Sequence, residues 1–202
     1  MRNGLLLVNL GTPESPRSGD VRSFLREFLS DPRVIDLPFP LRWCLLNLVI
    51  LPFRPLRSAH AYSSIWTKEG SPLKVFGLAL ERELRSALLK ENISVVLAMR
   101  YGKPSIRSGL RKLCEQKCEE LIILPLFPQY ASSTTGSILE TVYHEASRDW
   151  DKSQIKVVPS FYEHPEYIQA FVERGRPHLQ KIPDHVLFSF HGLPERHLLR
   201  GD

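Results

Sequence analysis

Four stretches of this chain, residues 5–10, 95–99, 121–127 and 186–190, are apolar almost without interruption, and a weaker one covers residues 155–158. None alternates apolar with polar residues. A strand with one wet face must alternate. A near-continuous run suits a strand covered on both faces, as in a parallel sheet. Between the runs lie stripes with the 3.6-residue period of a helix that buries one face. One is Val21, Phe24, Leu25, Phe28 and Leu29, and another is Leu73, Phe76, Leu80, Leu84 and Leu88. Ile106, Leu110, Leu113 and Cys114 form a third, Ile138, Val142, Tyr143 and Ala146 a fourth, and Ile168, Phe171, Val172 and Leu179 a fifth. Strands alternating with helices predict βαβ units, an α/β protein built on a parallel sheet flanked by helices.

The remaining features narrow the class. Prolines such as Pro13, Pro32, Pro72, Pro104 and Pro128 fall at element ends. No repeat or low-complexity segment interrupts the pattern. The net charge of +5 is spread over scattered Lys and Arg with no polybasic run, so nucleic acid is not the expected partner. The three cysteines include no CxxC pair, so neither a disulfide framework nor a zinc ribbon is expected. Cys114 and Cys118, four apart in a helical pattern, are expected to share a face as small buried residues. The opening apolar run is too short for a secretion signal. The longest apolar stretch, residues 41–53, is broken by Arg42, Asn47 and Pro52 and falls short of a transmembrane helix. A cytoplasmic protein with no transmembrane segment is expected. The 186–190 strand has no helix after it within the 202 residues, so the sequence reads as cut off.

In open α/β sheets, ligands bind beyond the carboxyl ends of the strands. The residues there are Asn9-Leu10-Gly11-Thr12-Pro13, Arg100-Tyr101-Gly102, Pro128-Gln129-Tyr130 with Ala131-Ser132-Ser133-Thr134-Thr135-Gly136, and His191-Gly192-Leu193-Pro194. This mixture suits a flat aromatic ligand with acidic edges: phenols stack, arginine grips carboxylates, and histidine takes a proton or binds a metal. His191 is the sharpest candidate, at a strand end before a glycine. A structural histidine is the competing reading. His197 is a weaker candidate. His60, His144, His164, His178 and His185 suit surface positions. A hydroxyl among Ser132–Thr135 is expected to cap the following helix. An anion site at that helix start would suggest a nucleotide, but the chain contains neither GxGxxG nor GxxxxGK[ST]. Residues 38–53 read either as a buried core helix or as an apolar lip over a hydrophobic cleft, with Trp43 in it and Arg54 and Arg57 just beyond.

Asn9-Leu10-Gly11-Thr12-Pro13-Glu14-Ser15 resembles the opening strand and loop of the ferrochelatases. Phe28-Leu29-Ser30-Asp31-Pro32-Arg33-Val34-Ile35, Ala61-Tyr62-Ser63-Ser64-Ile65-Trp66 and Gly70-Ser71-Pro72-Leu73 resemble the segments that follow. Arg100-Tyr101-Gly102-Lys103-Pro104, Leu124-Pro125-Leu126-Phe127-Pro128-Gln129-Tyr130, Ser133-Thr134-Thr135-Gly136-Ser137 and Ser189-Phe190-His191-Gly192-Leu193-Pro194 complete an ordered set across the chain. The resemblance implies a chelatase-like fold of two Rossmann-like lobes: a first lobe over residues 1–165, then the linking helix and first strand of a second over residues 166–202. It implies insertion of ferrous iron into protoporphyrin or coproporphyrin, with iron as substrate and no organic cofactor; an iron–sulfur cluster is left undecided.

By the same resemblance His191 matches the family's active-site histidine, as acceptor of pyrrole protons or as an iron ligand. Arg100, Tyr101, Tyr130, Ser132 and Thr134 match residues lining the porphyrin cleft, and Arg54 and Arg57 fall near the propionates. Leu10 stands where some members carry Tyr or Met, and a leucine cannot ligate iron. The family's catalytic glutamate has no counterpart here, so the 202-residue chain alone is expected to be inactive. Peripheral membrane contact is allowed. Another tetrapyrrole chelatase, or a porphyrin-binding protein without catalysis, is the alternative.

Overall fold

The computed structural model describes residues 2–181, 183–193 and 195–198. The side chains of Arg196 and His197 lie outside the described residues, as does Pro194, so the readings of His197 and of the last motif residue do too. In chain order the elements are β1 (Asn3–Gly11), α1 (Ser18–Ser30), α2 (Phe39–Cys44), α3 (Leu51–Ile65), α4 (Pro72–Ala87), β2 (Ile93–Tyr101), α5 (Ile106–Glu115), β3 (Glu120–Pro125), α6 (Ser137–Ala146), β4 (Ile155–Val157), α7 (Pro165–Leu179) and α8 (Glu195–Leu198). π-helical turns at Leu45–Ile50 and Ser132–Gly136 lead into α3 and α6.

The strands form one parallel sheet in the order β2-β1-β3-β4. Successive side chains of a strand point to opposite faces. Leu6, Val8, Val96 and Ala98 pack with Leu110 and Leu113 of α5 and Ile138 and Val142 of α6. Leu5, Leu7, Val95, Leu97 and Met99 point the other way, toward Leu73 and Leu84 of α4 and Leu88 just past its end. Burial on both faces is why these runs do not alternate. A third cluster closes the carboxyl end of the sheet: Val21, Phe24, Leu25 and Leu29 of α1 pack with Leu51 and Tyr101.

The chain steps from β1 outward to β2, then returns past β1 to β3. The strand order therefore reverses between β1 and β3, and a crevice opens at such a reversal. At this end Gly11 pairs with Tyr101 at φ 120°, and a Cβ there would lie 1.9 Å from the Tyr101 carbonyl oxygen. The obstacle is backbone, so no rotamer change relieves it. Gly11→Ala is expected to cost roughly 2–3 kcal/mol, measured by urea unfolding. A loss below about 0.5 kcal/mol would contradict this register.

Five expectations are corrected. Residues 186–190 form no strand: Leu187 and Phe188 are 93% and 81% exposed. A strand exists only through its ladder, and no described strand pairs with this segment. Phe76 is 72% exposed. The packed face of α4 is set by Leu73, Gly77 and Leu84, and Phe76 lies about a quarter-turn away. The α7 stripe of Ile168, Phe171, Val172 and Leu179 is exposed, with no buried residue on that helix. Cys114 is exposed and only Cys118 is buried. The helix stops between them: Lys117 takes φ 57°, and the Lys117 and Cys118 amides donate to the carbonyls of Cys114 and Leu113. Finally, no hydroxyl caps the helix after Ala131, because a π-helical turn leads directly into α6.

Candidate functional site

The carboxyl ends of β1, β2 and β3 meet the end of α1 and the start of α6. At their centre is Asp31, just past α1, with a side chain 5% exposed. A carboxylate at a helix C-terminus opposes the helix dipole, so it needs partners. It has four. Its Oδ2 accepts hydrogen bonds from Arg100 Nη2 at 2.8 Å, the Tyr101 hydroxyl at 2.8 Å and the Ser137 hydroxyl at 2.6 Å. Its Oδ1 accepts from the Arg33 amide at 2.8 Å. Burial works against the charge. The Ser137 hydroxyl, the Arg33 amide, the Tyr101 hydroxyl and the Arg100 charge outweigh it and hold the carboxyl below its ordinary range.

Arg100 is gripped from three directions. Its Nε donates to the Ser137 carbonyl at 3.1 Å and hydroxyl at 2.7 Å, its Nη2 bonds Asp31, and its Cζ sits 4.4 Å from the Tyr101 ring centroid. Tyr101 is 1% exposed, with Phe28 edge-on at 5.2 Å between ring centroids. Burial pushes its phenol well above the ordinary range, so it stays protonated and donates to Asp31. Its ring is therefore sealed into the core, which differs from the cleft-lining position expected for it: the α1 aromatics close over the end of β2.

Beside this cluster Arg33 donates from Nε to Glu140 at 2.6 Å and from Nη1 to the Ser132 hydroxyl at 3.1 Å. The Tyr130 ring is half-exposed, and its hydroxyl lies over Gly136, where a Cβ would approach it to 3.1 Å. Thr134 donates its hydroxyl to the Ala131 carbonyl. Leu10 is half-buried against the α1 and Tyr101 cluster. The loop after β1 is tied down by a buried Thr12 hydroxyl donating to Ser71 at 2.8 Å.

Residues 38–53 share features of both readings. Leu46 and Leu51 are buried against α1, whereas Phe39, Leu41, Trp43, Leu48, Val49 and Phe53 stand exposed. Arg54 and Arg57 follow on α3, exposed, and neither forms a hydrogen bond or ion pair among the described residues. The chain thus brings together a polar network of Arg100, Tyr101, Arg33 and Ser132, with Tyr130 at its edge. An open greasy face, followed by two guanidiniums without a hydrogen bond or ion pair among the described residues, belongs to α2, α3 and the turn between them. His191 is not drawn in. It is exposed in a segment without regular structure, with no hydrogen bond to another described residue. Among the described residues no group of three His, Cys, Asp or Glu gathers, and no helix is long and apolar enough to cross a membrane. Asp31, at the centre of this network, is the residue that sequence reasoning passed over. Its signal was an acid at the wrong end of a helix.

The family model for ferrochelatase matches residues 2–202. A ferrochelatase of Coxiella burnetii (strain Dugway 5J108-111) is 50% identical over 199 residues, covering 98% of this chain and 55% of the relative. One from Pseudomonas syringae pv. tomato is 49% identical over 202 residues, covering 99% of this chain and 58% of the relative. One from Pseudomonas fluorescens biotype C is 47% identical over 196 residues, covering 97% and 57%. The chain thus spans somewhat more than half the length of the curated relatives it matches.

Proposed function

The chain belongs to the ferrochelatase family, and from that premise we propose that the gene product carrying it inserts ferrous iron into a dicarboxylate porphyrin, releasing both pyrrole protons. The observation that carries this is the exposed apolar face of residues 39–53, running directly into Arg54 and Arg57, which have no hydrogen bond or ion pair among the described residues. A macrocycle has the same polarity, with apolar faces and anionic edges. In this reading the apolar face covers the ring and Arg54 and Arg57 meet the propionates. Tyr130, Ser132, Thr134 and Arg100 form one wall, Leu10 offers iron no ligand, and Tyr101 acts from within the core.

His191 is proposed to accept the pyrrole protons or to bind the entering iron, either of which suits a neutral imidazole. The chemistry needs no organic cofactor, and the cytoplasm is the proposed location. The same exposed face suits peripheral contact with a membrane surface. Residues 1–202 expressed alone are proposed to bind porphyrin without metalating it, since the glutamate that the resemblance sets opposite His191 has no counterpart among them.

The test is an anaerobic metalation assay with ferrous iron and protoporphyrin. Arg54→Ala and Arg57→Ala are each expected to raise KM with little change in kcat, by up to ~1.5–3 kcal/mol of lost charge-assisted hydrogen bonding. A fall in kcat at unchanged KM would contradict the binding role.

A further inference from the structure

We draw no further inference here: the strongest candidate, the exposed apolar face of α7 formed by Ile168, Phe171, Val172 and Leu179, is an unpartnered helix face, and nothing in the structure shows what covers it.

Discussion

Asp31→Ala is expected to destabilise the protein by about 3–5 kcal/mol, the range found when one partner of a buried ion pair is removed. Arg100 would keep its charge in a position 20% exposed, and the buried Tyr101 hydroxyl would lose its acceptor. Asp31→Asn should cost less, because its carbonyl oxygen still accepts. The same carboxylate sets an acid limb. Its folded-state pKa lies below the ordinary 3.8, so its contribution is complete above that value and is lost as pH falls through the lower folded value. Urea unfolding at about pH 7 and about pH 3 should show a steeper loss in wild type than in Asp31→Asn. A cost below about 1 kcal/mol for Asp31→Ala would mean that the network adds no net stability.

His191→Ala is expected to lower metalation by about 10²–10⁴-fold, the usual contribution of a positioned general acid or base. The side chain is exposed and makes no hydrogen bond to a described residue, so stability should change by no more than ~0.5 kcal/mol. This separation of effects makes the variant informative: activity falls while circular dichroism and the unfolding midpoint stay put. Near-wild-type rates in a folded His191→Ala protein would remove the residue from the proposed mechanism.

The sheet was legible because burial on both faces leaves a local mark. Each of β1, β2 and β3 lies on an apolar run visible without knowledge of its neighbours, whereas β4 keeps only Ile155 and Val157 around the exposed Lys156 and left the weaker mark. What was not legible depends on distant partners. Residues 186–190 have the composition of a strand, yet a strand also needs an adjacent ladder. Phe76 fits the helical period of α4, but the packed face is decided by where Gly77 lets the helix approach Leu97. The split between Cys114 and Cys118 turns on one left-handed residue, Lys117, which no helical period predicts. Arg100 and Tyr130 were read as candidates because they lie at or just past the carboxyl ends of apolar runs, and the structure sets Arg100 at the end of β2 and Tyr130 in the loop after β3. Asp31 was missed because its hydrogen-bond partners Arg100, Tyr101 and Ser137 lie 69, 70 and 106 residues away. The burial of Tyr101 was not legible for a related reason: the aromatic that covers it, Phe28, comes from another element.

The most direct test supplies the purified gene product anaerobically with ferrous iron and protoporphyrin and follows the conversion of the free-base spectrum to that of the iron porphyrin. Catalytic turnover that saturates in porphyrin, with sirohydrochlorin left unmetalated by cobalt or nickel, is the predicted result. Saturable porphyrin binding without iron insertion, or metalation of sirohydrochlorin in its place, would contradict the account.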